Sequence, residues 1–316
     1  MLHPQTRALL DFIEKQGAPA THTLSPAEAR VVSSQRRKRL LPPAPEVASV
    51  AARRVPAPAG AIPLRVYRPW GSHETDLLPV LLYYHGGGFV LGDLDSHDVI
   101  CRQLANIAGC AVVAVEYRLA PENPFPAAVN DASAALVWLQ ENAKELRVDA
   151  TRVAVGGDSA GGALATVTAI AARGNALPPI VFQLLIYPVT DWRCGSKSHH
   201  ENGQGYFLTH ELIDYFKRHY LPDAALYGDW RASPLLHPDL SNLPPALVLT
   251  AGFDPLRDEG GAYAQRLTGS GNVVSHVCFE RQIHGFITMG GVIDEANTAV
   301  AMCAGELRRA LRMLDA

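Results

Sequence analysis

Short apolar stretches alternate with longer amphipathic ones along most of the chain. The apolar stretches are rich in β-branched residues, which is typical of strands buried on both faces. They predict strands at residues 62–67, 80–84, 111–117, 152–155, 180–187, 246–250 and 273–279. Apolar residues at helical spacing predict helices at residues 6–16, 97–109, 126–143, 160–173, 210–220, 258–269 and 295–313.

This alternation predicts an α/β fold with a mostly parallel central sheet and helices on both faces. In such sheets ligands bind at the carboxyl ends of the strands, so the residues just after each strand are the candidates for chemistry. Only one helix follows the last strand, residues 273–279. We therefore expect that strand at or near one end of the sheet, where its open edge would pair with a second copy of the chain as a homodimer.

The alternation is interrupted once, between the strands that end near residue 187 and begin near residue 246. Loops of this length are rare and usually functional. The interruption contains one clear helix, at residues 210–220, with Thr209 as its expected N-cap. We expect residues 189–245 and residues 1–45 to form a helical cap over the strand ends. The α/β core would then comprise residues 46–188 and 246–316.

Composition and charge narrow the choice of partners. The chain has 316 residues, of which 48% are hydrophobic, and a formal net charge of -3, which gives no basic field for nucleic acid. The run Arg36-Arg37-Lys38-Arg39 is interpreted as a solvated helix face. We see no signal-peptide pattern and no apolar run long enough to span a membrane. Five cysteines without a C-x-x-C pair are typical of reduced thiols in a cytoplasmic protein.

The sequence Gly157-Asp158-Ser159-Ala160-Gly161 joins a predicted strand directly to a predicted helix. It matches G-x-S-x-G, in which a sharp turn leaves the serine hydroxyl exposed above the sheet. The motif is short enough to occur by chance, and a glycine-rich strand–helix turn is the plain structural alternative. The context nevertheless favours Ser159 as a nucleophile.

The sequence His85-Gly86-Gly87-Gly88 follows another predicted strand. Its glycines allow backbone N–H groups to turn into the cleft, as an oxyanion hole in this fold requires. The N–H of Ala160, which follows the serine, is the expected further donor. A phosphate-binding loop is the rival interpretation, but neither G-x-G-x-x-G nor a Lys-Ser/Thr ending is present.

The partners of the nucleophile are expected in the order acid, then histidine. Asp254 lies just past the strand 246–250, and His284 follows the last strand in a loop. The rival acids are Asp191, Asp258 and Glu259, and the rival histidines are His199, His200 and His276. No spacing typical of metal ligands is present, so we expect neither a metal nor a cofactor.

These motifs together resemble those of the bacterial hormone-sensitive-lipase-like esterases. Besides the stretches above, the resemblance covers Tyr117-Arg118-Leu119-Ala120-Pro121-Glu122, Asp254-Pro255-Leu256-Arg257-Asp258 and His284-Gly285-Phe286. It implies an α/β-hydrolase fold and a Ser159–Asp254–His284 triad. It also implies oxyanion donors from Gly87, Gly88 and Ala160, with Gly86 shaping the loop, and a cap built from the N-terminus and the insertion.

The function we predict is hydrolysis of short- to medium-chain carboxylic esters through an acyl-enzyme. An amidase or a deacetylase of a specific metabolite is the alternative on the same triad, and a non-catalytic binding protein is a remote one. Aromatic and aliphatic residues around the helix 210–220 are expected to limit the acyl chain. The predicted pocket residues are Phe207, Leu208, Leu212, Phe216 and Tyr187.

Overall fold

The structure is a computed structural model that describes residues 1–57, 60–173 and 177–312. In chain order its strands are β1 (Ser49–Val55), β2 (Ile62–Arg68), β3 (Leu78–Tyr84), β4 (Ala111–Val115), β5 (Val148–Asp158), β6 (Phe182–Ile186), β7 (Ala246–Phe253) and β8 (Val274–Ile283). Within these ranges they form one eight-stranded sheet in the order β1-β2-β4-β3-β5-β6-β7-β8. Strand β2 is antiparallel to both of its neighbours, and the six strands from β4 to β8 along the sheet are parallel.

The helices are α1 (Pro4–Lys15), α2 (Pro26–Lys38), α3 (Asp98–Ala108), α4 (Ala127–Glu141), α5 (Ala143–Leu146), α6 (Ala160–Ala172), α7 (Lys197–Asn202), α8 (His210–Tyr220), α9 (Arg257–Gly269) and α10 (Asp294–Arg312). Helices α4, α6 and α9 pack on one face of the sheet, and α3 and α10 pack on the other. Neighbouring residues of one strand accordingly join different cores: Leu82 packs with the first group, and Leu81 packs with the second. The predicted α/β fold is confirmed.

Two elements near the N-terminus depart from the sequence prediction. Strand β1 was not predicted, because Arg53 and Arg54 interrupt its apolar pattern and alternate residues are exposed at the sheet edge. Helix α2 was not predicted either, although Ser25 and Glu28 form a capping box at its start. The first helix begins two residues earlier than expected, at Pro4.

The insertion also contains more structure than the single predicted helix. Helix α8 is where it was expected, and the hydroxyl of Thr209 accepts a hydrogen bond from the N–H of Leu212. The short helix α7 precedes it, and 3₁₀ turns follow it. Helix α8 contacts the 3₁₀ turn Thr21–Thr23 of the N-terminal segment, so the two parts predicted as a cap touch each other. None of the helices in the described ranges is long and apolar enough to cross a membrane.

Candidate active site

A sharp turn connects strand β5 to helix α6 at Ser159. The backbone of Ser159 has φ 55° and ψ −117°, a conformation that non-glycine residues rarely adopt. Its neighbours must be small: a Cβ atom on Gly157 or Gly161 would overlap the carbonyl oxygen of Tyr84 on strand β3. The turn therefore depends on close packing against the neighbouring strand, and it leaves the Ser159 hydroxyl at the carboxyl edge of the sheet.

Asp254 and His284 meet Ser159 at this edge. Asp254 directly follows β7, and His284 directly follows β8. The Nδ1 atom of His284 lies 2.7 Å from Oδ2 of Asp254, and its Nε2 atom lies 2.9 Å from Oγ of Ser159. All three residues are buried, with 9% of Ser159, 7% of His284 and none of Asp254 exposed.

This geometry fixes the proton on the imidazole ring. The Asp254 carboxylate only accepts hydrogen bonds, so the Nδ1 atom of His284 carries the proton, and a neutral ring then offers its Nε2 lone pair to the serine O–H. The other oxygen of Asp254 accepts the N–H of Leu256 at 2.8 Å, which orients the carboxylate. The arrangement is able to remove the proton from Ser159 without moving any backbone.

The rival acids are engaged elsewhere. Asp191 binds Arg193 through both carboxylate oxygens, and Asp258 accepts the N–H of Ser198. Glu259 is buried; burial raises the pKa of its carboxyl group, and the nearby His199 opposes this rise.

The rival histidines also lie outside the arrangement around Ser159. His199 binds Glu259 at 2.9 Å, His276 binds the Thr250 hydroxyl at 3.1 Å, and His200 is exposed. Among the described residues, no group of three or more histidine, cysteine or acidic side chains is arranged to hold a metal ion.

The glycine loop after β3 faces the same cleft. Gly87 has φ 133° and Gly88 has φ 62°, so glycine is needed at both positions. The N–H of Gly86 donates to Oδ1 of Asp158 at 2.9 Å and is therefore not available to a ligand. In the part of the chain that the structure describes, the N–H groups of Gly87, Gly88 and Ala160 donate to no protein acceptor. Three of the four predicted oxyanion residues thus retain a free donor.

Asp158 connects the glycine loop to the turn at Ser159 through a hydrogen bond. This role was not predicted from the sequence. Its buried carboxylate accepts hydrogen bonds from the Tyr83 hydroxyl and the Gly86 N–H, and it lies 3.2 Å from Nε2 of His97. Burial by itself would raise the pKa of Asp158, but the interaction with His97 outweighs it and holds the pKa well below its usual value. A fixed negative charge therefore lies directly under the loop.

A cavity of about 100 Å³, which we call the serine cavity, opens above Ser159 and His284. Four of the five predicted pocket residues line it, namely Phe207, Leu208, Leu212 and Phe216. Tyr187 does not, which corrects that prediction. Its ring is fully buried, with its centroid 4.6 Å from that of the His284 ring, so it supports the histidine from behind.

The N-terminal segment contributes cavity residues that were not predicted from the sequence. Thr21, Ser33, Arg37 and Leu40 all line the serine cavity. The interpretation of residues 36–39 as a solvated helix face is therefore wrong for Arg37, which is half-buried and 3.3 Å from His97. The charge run itself does not indicate that Arg37 lines a cavity, because this depends on how helix α2 packs on the core.

Known proteins share both the sequence and the fold. A profile of the α/β-hydrolase fold matches residues 81–288. The carboxylic ester hydrolase LipN of Mycobacterium tuberculosis is 45% identical over 265 residues, which are 81% of this chain and 70% of LipN. The ethyl acetate hydrolase of Pseudomonas putida is 44% identical over 252 residues, which are 79% of each chain.

Solved structures agree along nearly the whole length. An α/β-hydrolase enzyme from the metagenome of Lake Arreo, Spain, matches with a TM-score of 0.95 and 44% identity, covering 98% of both chains. The profile match spans more than half of the chain, and the relatives cover most of it at high identity. The chain therefore belongs to the α/β-hydrolase family, in the hormone-sensitive-lipase-like branch that its sequence motifs indicated.

Proposed function

We propose that this protein is a serine carboxylic ester hydrolase that acts on short- to medium-chain acyl esters through an acyl-enzyme. One observation carries the proposal: Ser159, His284 and Asp254 are joined by hydrogen bonds of 2.9 and 2.7 Å beneath a cavity lined by free backbone donors. The relatives described above are named as ester hydrolases, which supports the same reaction for this chain.

In the first half-reaction, His284 takes the proton from Ser159 Oγ as this oxygen attacks the ester carbonyl. Asp254 holds the ring in its tautomer and stabilises the imidazolium that forms. The N–H groups of Gly87, Gly88 and Ala160 are the donors for the oxyanion, each worth about 3 kcal/mol in the transition state. The imidazolium then gives its proton to the leaving alcohol, and the acyl group remains on the serine.

In the second half-reaction, a water molecule attacks the acyl-enzyme. His284 takes the proton of this water, and the second tetrahedral intermediate uses the same backbone donors. Collapse of the intermediate returns the proton to Ser159 and releases the carboxylic acid. No step requires a cofactor.

The serine cavity supports a limit on acyl length. Its volume is about 100 Å³, and its lining includes Phe207, Phe216, Leu208 and Leu212. Each methylene buried there contributes about 0.8 kcal/mol until the aromatic wall stops the chain. We propose acyl chains of about four to eight carbons, an estimate that rests on the family resemblance and on this per-methylene gain.

Residues 1–45 and 189–245 act together as the cap in this proposal. Thr21 and Leu40 from the first segment line the same cavity as Leu212 and Phe216 from the second. A cavity built jointly by two segments excludes water when both are in place, which strengthens the electrostatic interactions of the oxyanion.

Assembly and location complete the proposal. Strand β8 is the last strand of the sheet, and His3 donates to the carbonyl of Arg281 near the end of β8. Because β8 has only β7 as a neighbour in the described sheet, we propose a homodimer through its other edge. The five cysteines are unpaired, which supports a cytoplasmic location. A monomer in light scattering at high protein concentration would rule out the dimer.

A fluorophosphonate probe tests the chemistry directly. The wild-type protein should be labelled and should lose its activity on p-nitrophenyl butyrate, whereas Ser159→Ala should not be labelled. Ser270→Ala, at the end of helix α9 and outside the cavity, is the matched control and should label like wild type. Equal labelling of Ser159→Ala and wild type would contradict the proposal.

A further inference from the structure

Arg37 brings a guanidinium group into the serine cavity from helix α2. The side chain is half-buried and lines the cavity together with Ser33, one helical turn earlier on the same face. Both residues also line a second, more polar cavity of about 470 Å³, bounded among others by Asp93, Glu116 and Asn123. We call this second cavity the side chamber. Arg37 therefore lies where the two cavities meet.

No carboxylate of the described residues binds the guanidinium of Arg37 directly, and its acidic counterpart is the buried Asp158, which interacts with it only electrostatically beyond His97. Its Nη1 atom lies 3.3 Å from Nε2 of His97, and no carboxylate oxygen of the described residues lies within 4.0 Å of it. Arg30, on the same helix, contrasts with it by donating two hydrogen bonds, of 2.8 and 2.6 Å, to the carboxylate of Glu122. A guanidinium has five N–H donors, so the contact with His97 leaves most of those of Arg37 unused.

The acidic residues around the two cavities are already engaged. Asp158 accepts a tyrosine hydroxyl and a backbone N–H, and Asp191 is bound by an arginine through both oxygens. In the side chamber, Glu122 is held by an arginine, Asp93 accepts a backbone N–H at 2.6 Å, and Glu116 accepts another at 2.9 Å. Among the described residues, none of these carboxylates forms an ion pair with Arg37 within 4.0 Å.

We propose that Arg37 binds a carboxylate group of the substrate, so that the preferred esters are anionic, such as half-esters of dicarboxylic acids. This inference rests on the proposed ester hydrolysis. A carboxylate matches the planar fork of the guanidinium with two parallel hydrogen bonds. The half-buried position strengthens this attraction compared with an exposed arginine, because fewer water molecules compete for both groups.

The role differs from that of the groups at the ester bond. Arg37 holds a part of the substrate that does not react, so the interaction is present in both the bound substrate and the transition state. Its loss should therefore raise KM and leave kcat nearly unchanged. Salt should raise KM for anionic esters in the same way, since ions screen the attraction.

The test compares monoethyl succinate, glutarate and adipate with the corresponding diethyl esters. Hydrolysis of each ester is measured at neutral pH by the acid that it releases. The wild type should show a lower KM for at least one half-ester than for its diester. Arg37→Gln should raise the ratio of the half-ester KM to the diester KM about 10-fold or more, as expected for the loss of a charged hydrogen bond. Arg37→Lys keeps the charge but loses the planar fork of the guanidinium. Its KM for the half-ester should lie between those of the wild type and Arg37→Gln.

Lys38→Gln is the matched control, because it removes the same charge from an exposed position of the same helix. It should behave like wild type with every ester. Equal losses of kcat on half-esters and diesters in Arg37→Gln would overturn the proposal and assign Arg37 to the support of His97 and Asp158. An unchanged ratio of the two KM values would overturn it as well. Absence of wild-type turnover on diethyl esters and p-nitrophenyl butyrate would instead contradict the proposed function itself.

Discussion

His284 and Asp254 are joined by a 2.7 Å hydrogen bond between Nδ1 and Oδ2, although 30 residues separate them along the chain. The second carboxylate oxygen is occupied by the N–H of Leu256, so the carboxylate has one preferred orientation. The bond therefore fixes both the position and the tautomer of the imidazole ring.

Asp254→Asn should keep the fold and lose the activity. The amide oxygen remains the acceptor for Leu256, so the NH₂ group faces Nδ1 of His284 and moves the ring proton to Nε2. That nitrogen is then unable to accept the serine proton, and we expect kcat to fall about 10⁴-fold. Turnover of p-nitrophenyl butyrate measures the loss, and an unchanged melting temperature shows that the fold is intact. A fall of less than about tenfold would contradict the assigned role.

Ser159 and His284 should behave as one unit. Each of Ser159→Ala, His284→Ala and the double variant removes the same proton-transfer step, so their losses of kcat should be similar and not additive. Single-turnover measurements with the three variants test this. A double variant that is slower than both single variants by the product of their effects would show that the residues act independently.

Protonation of His85 should make the protein less stable in acid. Burial, and then the nearby His97, lower the pKa of His85 from 6.5 to about 3. Between these values the folded ring stays neutral while the unfolded chain takes up a proton. The contribution of neutral His85 to the free energy of unfolding is thus fully present above pH 6.5. It decreases by about 1.4 kcal/mol per pH unit as the pH falls towards 3.

Urea unfolding at a series of pH values within this window measures the effect. In His85→Gln the unfolding free energy should fall less steeply with decreasing pH. The difference in slope from wild type should correspond to the uptake of about one proton fewer on unfolding. His200→Gln, which removes an exposed histidine, is the control and should keep the wild-type slope. Parallel curves for His85→Gln and wild type would show that His85 titrates normally.

Phe207→Ala should extend the acyl range. Its side chain is 37% exposed at the edge of the serine cavity and lies beside Gly285, so its removal opens the cavity without leaving a hole in the core. The kcat/KM optimum along a series of p-nitrophenyl esters should move to longer chains, while acetate esters change little. An unchanged profile would place the acyl chain elsewhere.

Gly88→Ala should displace the glycine loop after β3, because the added methyl group would collide with Phe216. A Cβ atom at position 88 would overlap the Phe216 ring, and the φ of 62° adds about 1 kcal/mol of strain for alanine. We expect kcat to fall in Gly88→Ala. In a Phe216→Ala background, Gly88→Ala should cause a much smaller loss, because the ring is then absent. Phe216→Ala itself should cost about 3–5 kcal/mol of stability, since its side chain is buried. Additive losses of kcat would contradict this steric coupling.

Local signals in the sequence were sufficient to predict strands β2 to β8 and to place Ser159, Asp254 and His284 just after strand ends. Strand β4 is buried at every position, and such continuous apolar runs reveal themselves without knowledge of their partners. Strand β1 shows the limit of this approach: its alternate residues are exposed, and it becomes recognisable only through its pairing with β2. Helix α7 was missed for a similar reason, since it is too short for a helical period to be seen.

The sequence by itself determined which residues stand at the strand ends, and therefore that Ser159, Asp254 and His284 share one edge of a parallel sheet. Chain order and strand ends are local properties, and parallel strands bring their carboxyl ends together. Only the tertiary structure decided that Gly86 is bound to Asp158, that Tyr187 lies behind His284, and that Arg37 enters the cavity. Each of these contacts joins residues distant along the chain, and their packing depends on three-dimensional positions that no local pattern records.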